Sequence, residues 1–174
     1  MKRRVKIILS LCSILLAMAL LSITIGRDLI TGEEPSLVSF GIVNFAGYLF
    51  IILLPVESLV PVYQALGYNG FLLGLIAVST AILAQPINYA VGYMMSSEVI
   101  KGLIGERKYN KMEKYIQNYG KVAVFFFNVT PLSSSVLSLV AGMLRVRFRS
   151  LMLYSLIGLV IKYLALIYLF DLFF

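Results

Sequence analysis

The chain of 174 residues lacks histidine and tryptophan altogether and contains one cysteine, Cys12. Without histidine it has neither the commonest metal ligand in proteins nor the usual general base at neutral pH. A single cysteine cannot form a disulfide within the chain. We therefore expect no metal site, no cofactor and no catalytic pair of nucleophile and base, and we do not expect an enzyme.

Charged residues are also scarce, at 13% of the chain, whereas hydrophobic residues make up 60% and the mean hydropathy is +0.94. An ordinary soluble domain has about half apolar and about a quarter charged residues. The composition therefore predicts an all-α integral membrane protein. The net charge of +7 would suit nucleic acid, but the basic residues flank apolar runs, as they do at membrane surfaces. We expect no nucleic-acid partner.

Six apolar runs divide the chain. The first follows a cluster of basic residues and continues from Val5 to Ile25. It is too long for a signal peptide and has no small-residue cleavage site, so we interpret it as an uncleaved transmembrane helix. The other runs, separated by glycine, proline, asparagine and charged residues, cover 37–54, 56–68, 70–96, 121–143 and 150–173.

Basic residues indicate which runs cross the membrane, because short cytoplasmic segments carry an excess of lysine and arginine. Thirteen of the fifteen lie in the N-terminus, the loop 96–121 and the turn 145–149. All three segments can be cytoplasmic only if 121–143 enters and leaves on the same side, and by the same logic 37–68 begins and ends outside. The pattern predicts three transmembrane helices and two opposed re-entrant hairpins, with a cytoplasmic N-terminus.

Each predicted hairpin is broken by a proline. Pro131 removes a backbone donor in mid-run, and broken backbone at membrane depth needs a protein-lined or wet cavity. Many transporters build their binding site near the bilayer midplane from such breaks. Pro55 precedes Ala65-Leu-Gly by the same spacing as Pro131 precedes Ala141-Gly142. We interpret the halves as an inverted repeat; a chance match of short motifs is the alternative.

Two ionisable residues lie within the predicted membrane segments. Glu57 is the one acid within a hairpin, and a carboxylate removed from water pairs, occupies a wet cavity or takes up a proton. Lys162 lies well inside the last run, so its plausible partners are Glu57 or a lipid phosphate. The alternatives are that Glu57 is a solvated turn residue and that the last helix is shifted so that Lys162 lies shallower.

Neutral polar residues form a second group of candidates. Asn128 and Ser134, on either side of Pro131, offer donors for head-group oxygens or for backbone freed by the proline. Gln85 breaks the central run and should face the bundle, lining a cavity or bonding a hairpin. The polar stretch 97–120 is predicted to be an amphipathic cytoplasmic helix, whose basic residues either anchor the topology or attract anionic lipids.

A set of short motifs occurs in a fixed order along the chain: Glu57 in a turn, Gly67, Tyr89-Ala-Val-Gly92, Tyr119-Gly120, Pro131 and Ala141-Gly142. On these residues the chain resembles the DedA family, also called the VTT or SNARE-associated Golgi protein superfamily, over roughly 40–170. The resemblance implies that Glu57 lies in the family's Pro-x-Glu turn and Pro131 at the centre of its second hairpin. We expect the glycines to permit close helix approach or chain reversal.

The chain departs from the family pattern in the second hairpin, where Asn128 and Ser134 replace two arginines. Gln85 stands where an aspartate is common, and Lys162 where a tryptophan is. The family is associated with moving lipids across bilayers, including polyprenyl phosphates and phospholipids, often with a requirement for the proton-motive force. The missing arginines put phosphate recognition and proton coupling in doubt, and they indicate a divergent member.

We therefore expect an N-terminal transmembrane helix and outer loop in 1–36, followed by a DedA/VTT-like membrane domain in 37–174. The predicted function is a plasma-membrane flippase or scramblase whose partners are membrane lipids and, where transport is coupled, protons. A polar groove between the hairpin tips would bind the head group with Glu57, Gln85, Asn128, Pro131, Ser134 and Lys162. The alternatives are a small-solute or ion transporter on the same scaffold and a non-transporting membrane-organising protein.

Overall fold

The computed structural model describes residues 36–49, 56–130 and 134–173. Within these ranges the chain is helical and contains no strand. A 3₁₀ turn covers Val56–Ser58, and the α-helices are α1 (Leu37–Tyr48), α2 (Leu59–Ala65), α3 (Gly70–Met94), α4 (Ser97–Ile104), α5 (Glu106–Tyr119), α6 (Lys121–Val129), α7 (Ser134–Met143) and α8 (Phe148–Phe173). The predicted N-terminal transmembrane helix, Cys12, Pro55 and Pro131 lie outside the described residues.

The two long helices, α3 and α8, are apolar and long enough to cross a membrane. The 25 residues of α3 extend about 37 Å, against a hydrocarbon core about 30 Å thick. The helices run antiparallel. Gly74, near the start of α3, packs on Ile167 near the end of α8. At the opposite end of the pair, the rings of Tyr89 and Phe148 have centroids 5.3 Å apart.

The short helix α1 runs beside α3 and in the same direction. Its Gly41 lies against Ile76, and further along its Tyr48 carbonyl oxygen accepts a hydrogen bond of 2.7 Å from Asn88. The 12 residues of α1 extend only about 18 Å, which is too short to cross a bilayer. Ser36 caps the helix by accepting a hydrogen bond from the backbone N–H three residues later.

The second arm of this hairpin, α2, returns along α8. Glu57, just before α2, lies beside Lys162, and Gln64 donates a hydrogen bond of 3.2 Å to Asp171. α2 therefore runs parallel to α8 and antiparallel to α3. Both ends of the first hairpin lie at the end of the bundle where α3 begins.

The second hairpin repeats this arrangement on α8. The first arm, α6, runs with α8, since the Lys121 ammonium lies 5.6 Å from the ring centroid of Tyr154, and Asn128 donates to Ser155. The second arm ends at Met143, shortly before α8 begins. Because α3 and α8 are antiparallel, the two hairpins start and finish at opposite ends of the bundle.

The helix α7 is the centre of the fold, with every residue from Ser134 to Gly142 buried. Two glycines let it approach α3 to backbone contact. A Cβ atom on Gly92 would overlap the Leu139 carbonyl oxygen, and one on Gly142 would overlap the Tyr89 carbonyl oxygen. Any larger residue at either position would force the helices apart.

The turns that end the two hairpins have the same backbone structure. Gly67 and Arg145 both have positive φ, 89° and 55°, and each begins the turn between a hairpin and its long helix. Both turns make the same pair of backbone hydrogen bonds to the preceding helix, the Schellman pattern. The separation along the chain between Gly67 and Arg145 equals the separation between the first residues of the two long helices, Gly70 in α3 and Phe148 in α8. We call this common separation the repeat offset.

The repeat offset corrects the register suggested by the sequence motifs, which placed Ala141-Gly142 opposite Ala65-Leu-Gly. The residue equivalent to Gly67 is Arg145, and Gly142 corresponds to Gln64. The equal spacing from each proline to its Ala/Gly pair therefore does not mark equivalent residues of the two halves.

The polar segment forms two amphipathic helices, α4 and α5, rather than the single one predicted for 97–120. Gly105, at φ 85°, separates them.

The buried Tyr109 hydroxyl bonds to Glu113 at 3.1 Å and reaches Met143 Sδ of α7 at 3.0 Å. Burial, and then the hydrogen bond to Glu113, raise the pKa of Tyr109 to about 12. Burial also lowers the pKa of Lys108.

Candidate functional site

Lys162 and Glu57 form an ion pair inside the bundle. The Lys162 Nζ atom lies 2.9 Å from Glu57 Oε1, and the side chains are only 4% and 17% exposed. Lys162 is the fifteenth residue of α8, about 21 Å from the helix start, so it lies close to the helix midpoint. Lys162 thus contacts Glu57, one of the two partners that the sequence indicated for it, the other being a lipid phosphate.

Two tyrosines complete this ion-pair cluster. The Tyr48 hydroxyl accepts a hydrogen bond of 2.9 Å from Lys162 and lies 3.2 Å from the Glu57 carboxylate, to which it can donate. It also lies 3.1 Å from the Tyr163 hydroxyl. The ammonium sits 5.4 and 5.5 Å from the centroids of the two rings, where the ring faces stabilise a cation. Lys162 is therefore held by one charge, one hydroxyl and two aromatic faces.

The cluster continues to α1 and α3 through Asn44. The Tyr163 hydroxyl donates to Asn44 Oδ1 at 3.3 Å, and Asn44 Nδ2 donates to Thr80 at 2.7 Å and to the Ala77 carbonyl at 3.1 Å. Asn44 is fully buried, so these bonds satisfy polar groups that would otherwise be costly in the interior. A chain of polar contacts thus connects the hairpin tip with both long helices.

A second buried cluster surrounds Asn128 in the other half. Gln85 Nε2 donates to Asn128 Oδ1 at 2.9 Å, and Asn128 Nδ2 donates to the Ser155 hydroxyl at 3.2 Å and to the Val124 carbonyl at 2.8 Å. Gln85, Asn128 and Ser155 are all fully buried. Asn128 joins α6 to both long helices.

Asn44 and Asn128 hold equivalent places in the two halves. Each is the eighth residue of the first helix of its hairpin. Each donates to the long helix that follows, Asn44 to Ala77 and Asn128 to Ser155. The two acceptor residues are separated by the repeat offset, so they occupy the same position in α3 and α8.

The other long helix contacts each asparagine in the same way. Tyr163 of α8 donates to Asn44 Oδ1, and Gln85 of α3 donates to Asn128 Oδ1. These donors are also separated by the repeat offset. Asn44 and Asn128 are separated along the chain by more than the repeat offset, because the first hairpin has the longer tip. The two halves therefore share one arrangement of buried polar contacts around an asparagine, which we call the polar frame.

The charges belong to one of the two clusters only. By the repeat offset, Ala84 corresponds to Lys162 and Ser135 to Glu57. The second cluster is therefore neutral. Its Gln85 Oε1 atom is buried and has no hydrogen-bond partner among the described residues, and the same holds for the Ser134 hydroxyl at the start of α7.

The predicted site residues therefore lie in two clusters instead of one groove. Glu57 and Lys162 form the first, and Gln85 and Asn128 the second. No hydrogen bond within the described ranges joins Glu57 to Asn128. Ser134 is buried at the start of α7, and Pro131 lies outside the described residues.

The predicted motif residues lie mainly where α3 meets the second hairpin. Tyr89 donates a hydrogen bond of 2.7 Å to the Val146 carbonyl in the turn before α8. Gly92 and Gly142 lie at the backbone contact of α3 and α7, and Ala141 is fully buried beside it. The remaining motif residues lie in turns or at the surface: Gly67 ends α2, Gly120 separates α5 from α6 at φ 51°, and Tyr119 is exposed.

Five residues of the two polar clusters were not foreseen from the sequence: Tyr48, Asn44, Thr80, Tyr163 and Ser155. Tyrosine in an apolar run is typical of membrane interfaces, so Tyr48 and Tyr163 gave no sign of a buried role. The common position of Asn44 and Asn128, each the eighth residue of the first arm of its hairpin, is the signal that could have found these clusters. Within the described residues, no group of three or more Asp, Glu or Cys side chains could hold a metal ion.

These features define a class, the α-helical membrane proteins with half-length helices and buried polar residues between two long helices. The VTT domain family model matches residues 37–172. The chain therefore belongs to the VTT domain family, which confirms its resemblance to DedA proteins. No curated protein and no solved structure matches the chain.

Proposed function

We propose that the protein moves lipids across the plasma membrane, as a flippase or scramblase, and that its two hairpins are re-entrant from opposite faces. The re-entrant arrangement is supported by the shortness of the hairpin helices and by the contacts that fix the direction of each helix along its neighbours. Each hairpin begins and ends at the start of its own long helix, and those helices are antiparallel. The basic segments of the sequence favour a cytoplasmic N-terminus.

The observation that carries this proposal is the ion pair at the midpoint of α8. A buried ion pair is weak evidence for stability, because well-packed apolar residues serve as well or better. Ionisable residues within membrane segments commonly mark substrate or ion pathways. Lys162 is therefore better explained as a cation that changes partners than as a structural residue.

In the proposed mechanism, an anionic head group replaces the Glu57 carboxylate on Lys162. Protonation of Glu57, or its withdrawal with the hairpin tip, breaks the ion pair and frees the ammonium for head-group oxygens. The Tyr48 hydroxyl lies 3.2 Å from Glu57 Oε1 and 3.1 Å from the Tyr163 hydroxyl. Both hydroxyls add neutral donors for the head group. Lys162 thereby supplies a cation that the second hairpin of this chain lacks, where the family pattern has arginines.

An apolar cleft between α3 and α8 provides a path for the lipid tails. Its volume is about 140 Å³, and its walls include Gly74, Val160, Tyr163 and Ile167. The cleft opens on the lipid-facing surface, while the Tyr163 hydroxyl belongs to the ion-pair cluster. A head group at Lys162 could therefore keep its tails in the bilayer.

A second candidate, transport of a small solute or ion such as the proton, is favoured by the closure of the site. Lys162 is 4% exposed, so in this conformation the cluster is shut off from lipid. A transporter of small ions needs no lateral opening for tails. The same reconstituted vesicles can measure both activities.

The test is reconstitution of the purified protein into liposomes with fluorescent phospholipids, followed by dithionite bleaching, and with a pH-sensitive dye inside. The variants are Glu57→Gln and Asn128→Ala, and the control is Glu98→Gln, which makes the same acid-to-amide change at an exposed site. Bleaching beyond the outer leaflet that is lost in Glu57→Gln supports lipid transport. Bleaching of the outer leaflet alone, with Glu57-dependent dye response, would favour the ion transporter.

A further inference from the structure

A groove between α5 and α6 lies apart from both polar clusters. Its volume is about 330 Å³, and its walls include Lys111, Tyr115, Tyr119, Phe126, Phe127 and Thr130. The rings form a continuous surface, with the Tyr115 and Phe127 centroids 5.4 Å apart. Tyr119 and Phe126 are each 59% exposed. The groove thus presents an open aromatic wall on a helix of the membrane hairpin.

One end of the groove is strongly basic. Lys111 lines it, and Arg107, Lys108 and Lys114 lie three or four positions away on α5, which places them on neighbouring parts of the helix surface. Lys111 forms no ion pair with a carboxylate in the described ranges. The nearest acid in sequence, Glu113, accepts a hydrogen bond from the buried Tyr109.

We propose that this groove binds an anionic phospholipid, with an acyl chain against the aromatic wall and the head group at Lys111. The apolar wall would not hold a free phosphate, and the basic end would not select a neutral lipid. α5 is amphipathic, as helices lying in the membrane interface are. The site is separate from Lys162 and does not depend on transport of lipid.

The absence of tryptophan makes a direct test possible. Phe126→Trp places a single fluorophore in the groove, and Ile157→Trp places one on the lipid-facing side of α8. The two positions lie at similar depth, because Gly158 contacts the Phe125 carbonyl oxygen. Each protein is reconstituted in phosphatidylcholine containing a small fraction of brominated phosphatidylglycerol or, separately, brominated phosphatidylcholine. Tyr119→Trp serves as a second groove reporter if Phe126→Trp folds poorly.

The expected result is stronger quenching of the groove tryptophan by brominated phosphatidylglycerol, with equal quenching by both lipids at Ile157→Trp. Adding Lys111→Gln should lower the preference about fivefold, the equivalent of about 1 kcal/mol for one basic residue near the surface. High salt should reduce it as well. Equal quenching in the groove, the same preference at Ile157→Trp, or no effect of Lys111→Gln would overturn the proposal.

Discussion

Replacing Glu57 with glutamine should destabilise the fold by about 3–5 kcal/mol, because it leaves the Lys162 ammonium buried without an opposite charge. The charged atoms lie 2.9 Å apart, and at an effective dielectric constant of about 20 their attraction is about 6 kcal/mol. The glutamine oxygen and the Tyr48 hydroxyl can still accept hydrogen bonds from Lys162. The expected loss is therefore somewhat smaller than the full attraction.

Removing the other partner should cost less. Lys162→Met leaves Glu57 unpaired, but that side chain is 17% exposed and keeps the Tyr48 hydroxyl as a donor at 3.2 Å. We expect a loss of about 1–2 kcal/mol, the cost of one weakened polar group near water. The double variant leaves no unpaired charge, so its stability should lie within about 1 kcal/mol of wild type.

The assay is reversible unfolding of the purified proteins in mixed micelles, with the free energy of unfolding measured for wild type, both single variants and the double variant. The cycle should give a coupling energy of at least about 3 kcal/mol. Glu98→Gln, an exposed acid-to-amide change, should stay within about 0.5 kcal/mol of wild type. Additive single effects would refute the argument, because they would mean that Glu57 and Lys162 do not stabilise one another.

Three further predictions concern the contact of α3 with α7, the buried Asn128 and the amphipathic helix α5. Gly92→Ala should cost at least about 2 kcal/mol, because its Cβ meets backbone, whereas Gly102→Ala, which has open space around it, should cost nothing in the same unfolding assay. Asn128→Ala should lower the free energy of unfolding by about 2–4 kcal/mol, since it leaves buried donors unpaired, while exposed Asn118→Ala should change it by less than about 0.5 kcal/mol. The pKa of Tyr109 is raised to about 12 in the folded protein from about 10 in an unfolded chain, so the stability it contributes is complete below about pH 10 and is lost as the pH rises to about 12. In Tyr109→Phe this loss should be absent from thermal unfolding measured across that range, and an unchanged loss would show that another group titrates.

Hydropathy was sufficient to predict the long helices and their order. The runs predicted at 70–96 and 150–173 correspond to Gly70–Met94 and Phe148–Phe173, since apolar length and breaker residues decide where such helices begin and end. The sequence also indicated Glu57 as one of two partners for Lys162, with a lipid phosphate as the other, because a lysine in an apolar run leaves few alternatives. The partner of a single charged residue can therefore be predicted from the sequence where the surrounding residues are uniformly apolar.

The division into two clusters could not be predicted, because it depends on the register of each hairpin against both long helices. The sequence motifs suggested one separation for the whole repeat, whereas Asn44 and Asn128 are further apart along the chain than the starts of α3 and α8. A length difference at a hairpin tip shifts one arm against the other. Only contacts in the folded structure, such as that between Asn44 and Tyr163, fix the position of a hairpin arm against both long helices.

The charge asymmetry between the two clusters bears on how the proposed transport could be driven. In many transporters with inverted repeats, the two access states arise largely by moving one part of the protein against the other around a fixed site. A ligand shifts such an equilibrium only by its differential affinity for the two states. Two identical clusters would bind a proton or an anion equally well in both states. Here Glu57 and Lys162 lie in one cluster, and the equivalent positions of the other cluster are Ser135 and Ala84, so a proton on Glu57 or an anion on Lys162 would favour one state over the other.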